Sequence, residues 1–430
     1  MLKIPARLLI CFFLIFPLII FSQDAEIKEG KKENLMKQFY GRPNIPNCNE
    51  SNTKGCVKNV LEKNNCNQCN LRRTSLNKAK LEGVSLIKSN LANADLAEAN
   101  LKNANLKESI LVEANLSEAN LDSANLESAD LSNANLIDTS LKDSILTNAK
   151  LTGTFLTRAN LSNANLENAN LTEANLEGAI LDKALLLNAK LNDANLANAQ
   201  LAGANLIQAN FQNADLTSAN LKGAKLMRAD FKDAKLININ FENTDLRGVD
   251  FTKANLTGAI LKNTKLNFAN LQNAILTHTR FNGSNMTGVN LYNANLRGAQ
   301  LKNVILKGAN LTKAKLSGSN IQEGNLQSSS LENAVAIGVN FKDANLSDTF
   351  LVKTDLRDVN FTYANLSKAN LKEARLDRAD FTFANLSGAN LYHAHTTGTI
   401  FEDATLDGAT WINGKTCEKG SIGECIIKPQ

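Results

Sequence analysis

Large apolar residues recur at every fifth position over most of this chain. Stepping by five from Leu71 to Trp411 meets 69 positions without a slip. Of these, 55 are Leu and nine are Phe, and Met286, Ile321 and Trp411 occur once each. Only Ala336 and Thr396 depart from the apolar rule. Two residues before each centre stands a small residue, most often Ala, with Ile239 the bulkiest exception. The residue just before the centre is usually Asn or Asp, and the two that follow are mostly polar. Neither the period of a helix nor that of a strand accommodates this spacing.

Glycine supplies a second register. The tract holds 17 glycines, and 16 lie two residues after a centre, Gly324 being the other. Asn is frequent at the same place. Both tolerate positive φ, so the chain is expected to turn there. Each pentad then reads as a short extended piece followed by a corner, with Leu and the small residue inward and the polar residues outward. The central Phe residues decide how many corners close a coil. They are Phe211, Phe231, Phe241, Phe251, Phe281, Phe341, Phe361, Phe381 and Phe401, and every spacing among them is a multiple of ten. A three-sided coil scatters them over all faces. A four-sided coil of four pentads confines them to two opposite faces. Phe211, Phe231 and Phe251 then share one column, and Phe341, Phe361, Phe381 and Phe401 share another, where rings can stack. The pattern predicts an all-β solenoid of about 17 coils, on the order of 80 Å long at one strand spacing per coil.

The A(N/D)Lxx pattern over residues 69–411 resembles the pentapeptide-repeat family. The resemblance implies a right-handed quadrilateral β-helix, and the handedness comes from it alone. It also implies that an end-to-end homodimer is open to such a chain. Exported members often begin with a CxxC followed at once by the repeats, and CNQCNL at Cys66–Cys69 looks like that. Some cytosolic members mimic duplex DNA and protect DNA gyrase.

The ends differ in composition from the repeat. Lys3 and Arg7 precede an apolar run from Leu8 to Phe21, with small Ser22 after it. This is the layout of a secretory signal over residues 1–22, and the run is short for a membrane span. Cys11 does not suit a lipoprotein signal, because Ile10 stands where a small residue is expected. The net charge of +5 becomes +3 once Lys3 and Arg7 leave with the signal. Residues 23–68 read as an N-terminal cap and 412–430 as a C-terminal one. Short helices are expected within 25–40 and in KGCVKNVLEKNNC. The cap cysteines are Cys48, Cys56, Cys66, Cys69, Cys417 and Cys425. Their even number in an exported chain favours disulfides. Zinc is disfavoured by the wide Cys48–Cys56 spacing. A thioredoxin-like role is disfavoured because no βαβ unit surrounds the CxxC.

No catalytic residue, cofactor or metal is expected. The tract from 71 to 411 carries no insertion that could fold over a face, and enzymes need convergent groups in a concave site. His393 and His395 lie outward without a third ligand. The charge is segregated, however. Residues 91–220 carry 7 Lys/Arg and 16 Asp/Glu, residues 221–320 carry 15 and 5, and residues 321–411 carry 7 and 12. The basic middle suits an anionic partner: a polysaccharide, lipid head groups or an acidic protein. Phe155, Phe268, Phe350 and Phe383 also fall at outward positions, too scattered to form a patch. The resulting reading is an exported, non-catalytic repeat protein that binds or spaces other molecules in the cell envelope or outside the cell. Its partner is a protein or an anionic polysaccharide, not nucleic acid. The alternatives are a DNA-mimicking gyrase-interacting protein, which would need a strongly acidic surface, and an accessory subunit of an envelope enzyme.

Overall fold

The computed structural model describes residues 53–428. The chain divides into two units, Met1–Pro46 and Asn47–Gln430. The first unit lies outside the described residues. So do the expected signal, the helix expected within 25–40, and Cys48. Helix α1 (Thr53–Lys63) opens the described part and buries Cys56 and Val60, one turn apart on the same face. It stops short of Cys66 because Asn64 takes φ 54°, the left-handed conformation that ends helices.

From there the chain coils. Parallel bridges join the residue before each centre to its counterpart twenty residues on, from Asn65–Ser85 to Asn390–Thr410, one per pentad without interruption. Four pentads per coil make a four-sided parallel β-solenoid. The ladder begins at Asn65, so Cys66 occupies a buried central position one pentad ahead of Leu71.

The recurring Asn or Asp follows from backbone accounting. In the pentad around Leu91, the N–H groups of Leu91 and Asn93 donate to the carbonyls of Ile110 and Val112 in the next coil, and that of Asp95 donates to Thr74 in the previous one. Ala94 N–H closes the turn onto the Leu91 carbonyl. One donor per pentad is left, on the residue after the centre. Ala92 N–H gives its hydrogen to Asn90 Oδ1 at 3.0 Å, the local bond by which Asn and Asp shape turns. These side chains are half-buried rather than outward. They also join from coil to coil: Asn310 donates to Asn290 at 3.2 Å and Asn290 to Asn270 at 3.1 Å.

The corner falls two residues after the centre, where φ is positive at Gly and non-Gly residues alike. The centres and the small residues fill the interior. Phe211, Phe231 and Phe251 stack with centroids 4.6 and 5.2 Å apart, and Phe341, Phe361, Phe381 and Phe401 stack at 5.2, 4.8 and 5.3 Å. Phe241 meets Phe231 and Phe251 edge-on from the opposite side, each at 5.9 Å. After Trp411 the chain reverses and lies antiparallel on the last coil through Thr410–Thr416 and Thr405–Ile422. The N–H groups of Leu406 and Gly408 donate to the carbonyls of Ser421 and Cys417 in this returning segment.

Candidate functional site

The cysteines cluster at the two ends. Cys66 and Cys69 are joined, as are Cys417 and Cys425. The sulfur of Cys56 lies within 4.8 Å of both Cys66 and Cys69. Sulfurs already bonded to each other are not the thiolates that zinc takes. The two C-terminal histidines do not converge: the His393 ring sits 3.9 Å from that of Tyr392, and His395 is exposed. Three of the outward Phe residues are about half exposed. Phe383 stacks on Tyr363 at 5.0 Å, whereas Phe155 and Phe350 have no ring neighbour among the described residues.

Charge is arranged in two ways along the solenoid. Outside the basic middle, many cations are answered one coil away: Lys78 by Glu98, Lys88 by Glu108, Arg158 by Asp138, Arg378 by Asp358. In the middle this pairing continues through Lys222 with Glu242, Lys232 with Asp250 and Lys235 with Asp215, and then fails. From Phe251 to Gln322 there is no Asp or Glu, against nine Lys and Arg. Within that run Lys302 pairs with Glu323, and Lys313 donates to the Tyr292 hydroxyl. No carboxylate lies within 4.0 Å of Lys253, Lys262, Lys265, Arg280, Arg297, Lys307 or Lys315 among the described residues. These cations point from all four sides, so the solenoid carries a basic belt with acidic stretches on either flank.

The belt contains a groove. Most ladder hydrogen bonds are 2.7–3.0 Å long, but between the side centred on Leu226 and that centred on Leu246 they stretch. Leu226 N–H reaches the Asp245 carbonyl at 3.2 Å, Arg228 N–H reaches Arg247 at 3.3 Å, and Asp245 N–H makes no backbone bond. The core beside this side is overfilled. Phe231, Phe241 and Phe251 meet across it, and Ile239 is the bulkiest residue in a slot that most often holds Ala. Extra volume in a packed interior is relieved by backbone shifts. The resulting groove holds about 760 Å³ and is lined by Met227, Arg228, Arg247, Thr264, Lys265 and Phe268 among others. Arg247 is bound by both oxygens of Asp245, and that hydrogen bonding holds the Asp245 carboxyl below its ordinary value. Arg228 has no such partner, and Lys265, beside Asp245 on the ladder, attracts that carboxylate only from beyond ion-pair distance.

Phe268 stands at the groove's rim in an unusual state. It occupies a corner at φ 58° and is 74% exposed. Arg228, Gly248, Phe268 and Gly288 follow one another in a single corner column. A Cβ at Gly288 would come within 2.7 Å of the Phe268 ring, so the ring leans into the space this glycine leaves open. Sequence reasoning noted Phe268 as outward but did not bring it together with the two arginines. The column becomes visible once positions twenty apart are aligned, whereas the widening of the ladder is not written in any one residue.

A four-sided solenoid of uninterrupted pentads, with an antiparallel return at its C-terminal end and a belt of cations, defines a class of repeat scaffold. Family models of the pentapeptide repeat region match residues 119–196, 194–271 and 259–331, and the eight-copy pentapeptide repeat model matches 65–103, 99–138, 340–378, 354–391 and 374–410. The chain belongs to the pentapeptide-repeat family, whose members form right-handed quadrilateral β-helices. Among solved structures it is similar to HetL, a pentapeptide repeat protein involved in heterocyst differentiation regulation in the cyanobacterium Nostoc sp. strain PCC 7120. Identity is 28%, with 59% of this chain and 91% of that one covered, at a TM-score of 0.25. It is similar to the pentapeptide repeat protein Rfr23 from the cyanobacterium Cyanothece 51142 at 28% identity, covering 34% and 97%, with a TM-score of 0.22. It is also similar to a pentapeptide repeat protein of the Arabidopsis thaliana thylakoid lumen at 27% identity, covering 26% and 72%, with a TM-score of 0.15. No curated protein matches the chain.

Proposed function

We propose that this chain is an exported, non-catalytic rod that binds an acidic polysaccharide through its basic belt. The observation that carries the reading is the stretch from Phe251 to Gln322, which holds nine cations and no carboxylate. A solenoid stabilised coil by coil has no structural need for this, since several cations of its other segments are answered by carboxylates one coil away. Unpaired cations raise the local potential and attract polyanions. Flat sides suit an extended polymer better than a compact substrate. The basic, apolar and small-residue order of residues 1–22 supports export. The coil count of about 17 and the two end caps belong to the same reading. The acidic stretch 91–220 gives the DNA-mimicking alternative its one favourable feature, but the adjoining basic belt opposes it.

The test is titration of the purified full chain with polygalacturonate and with neutral dextran, at low and at moderate salt. Binding of the acidic polymer that weakens steeply with salt, and none of dextran, is the expected result. Equal affinity for both polymers, or none for either, would overturn the reading. Inhibition of gyrase supercoiling at micromolar protein would favour the DNA-mimicking alternative instead.

A further inference from the structure

We infer that the groove beside Phe268 is a subsite for a single acidic sugar residue, its carboxylate seated between Arg228 and Lys265 and its apolar ring face against Phe268. The inference rests on the polysaccharide reading above and gives it a place. Three independent features meet there.

The first is Phe268 itself. Corners of this solenoid are mostly Asn, Gly, Asp or Lys, residues that are soluble and in several cases tolerate positive φ. A Phe in the left-handed region costs about 1 kcal/mol or more in backbone strain, and here it recovers little of that by burial. Tyr363 and Phe383 occupy comparable corners at φ 60° and 58°, but they cover each other by stacking. Phe268 has no ring partner among the described residues. An exposed, electron-rich ring face is a surface for the polarised C–H groups of a sugar.

The second is charge. Arg247 is already neutralised by Asp245, whereas Arg228 lines the groove with no carboxylate within 4.0 Å and Lys265 feels Asp245 only from beyond that distance. A uronate carboxylate supplies the missing acceptor, and a charge-assisted bond to a guanidinium is among the stronger polar contacts available. The third is room. The stretched ladder and the small residue Gly248 leave a gap between Arg228 and Phe268, which stand two coils apart, roughly 10 Å along the axis. That spacing accommodates one sugar ring. Single-stranded nucleic acid also combines rings with negative charge, but its binders present a series of stacking rings, and this groove has one.

The experiment is calorimetric titration of the full chain with a short galacturonate oligomer. Arg228→Gln and Phe268→Ala should each weaken binding about 10-fold or more, the loss of one charge-assisted or stacking contact. Phe268→Tyr should bind as the parent does. Gly288→Ala, which displaces the ring without removing it, should also weaken binding. Arg297→Gln combined with Lys315→Gln removes two charges from the opposite side and should leave oligomer affinity within a few-fold of the parent. If that control weakens the oligomer as much as the groove variants do, while polygalacturonate still binds the parent, the subsite is wrong and the belt reading stands. If the parent binds no acidic polymer, both fall. If a short oligodeoxynucleotide binds more tightly than the sugar and requires Phe268, the ligand class is wrong.

Discussion

Asn and Asp are the residues whose role changed most between pattern and structure. As a pattern they looked like the solvated half of an amphipathic repeat. In the fold they accept the one backbone N–H per pentad that no carbonyl can reach, and they hydrogen-bond to their own kind one coil away. Asn290 does both, accepting from Tyr292 N–H at 3.1 Å and linking Asn270 to Asn310. Asn290→Ala should therefore destabilise by roughly 1–3 kcal/mol, the range for leaving a partly buried group unpaired. It should also speed hydrogen exchange at Tyr292 more than at distant corners, as denaturant titration and exchange mass spectrometry would show. Asn290→Asp keeps the acceptor and should cost less. Equal losses would mean that the side chain acts by packing alone.

At the scale of the element, one coil is tied to the next by ladder bonds, core stacking and surface ion pairs. Several of those pairs have a pH signature. Hydrogen bonds from Arg158, Arg247 and Arg378 hold Asp138, Asp245 and Asp358 below the ordinary aspartate value of 3.8. A carboxyl held low in the fold binds its proton more readily in the unfolded chain. Its contribution is therefore present above 3.8 and is lost as pH falls through the folded value. The thermal unfolding midpoint should hold steady from neutral pH down to about pH 5 and drop below about pH 4. Added salt should shrink the drop, because these pairs are exposed. A midpoint that rises on acidification would contradict the assignment. The C-terminal element works differently: the antiparallel return after Trp411 gives the N–H groups of Leu406, Gly408 and Trp411 the carbonyl partners that a further coil would have provided.

At the scale of the molecule, the governing fact among the described residues is that contacts run from coil to adjacent coil. Each coil touches only its neighbours, so stability propagates along the solenoid and can be cut. Leu271 lies fully buried in the belt. Leu271→Lys places a charge in a dry interior with no partner, among the most disruptive single changes available. It should split denaturant unfolding into two transitions, one for the coils on each side, where the parent shows one. A single transition at lower denaturant would mean that the coils remain coupled across the defect. The three charge blocks sit on this same axis and are carried by side chains that the core does not use, so partner preference can change without disturbing the fold.

Much of this was legible before any coordinates. The unbroken step of five, the glycines in one register and the Phe spacings in multiples of ten together point to a four-sided coil, because with sides of five residues those spacings fall on two opposite faces when a coil has four sides and scatter when it has three. The basic middle was legible too, since charge totals need no geometry. Tertiary structure decided the rest. It placed Cys66 inside the first coil, turned Asn from a surface residue into a backbone partner, and laid the segment after Trp411 antiparallel on the last coil. It also opened the groove. Phe231, Phe241 and Phe251 are each ordinary centres in their own pentads, and the crowding arises only when their rings meet across the interior. A repeat read one unit at a time reports local preference, whereas volume, pairing and exposure belong to neighbours twenty residues away.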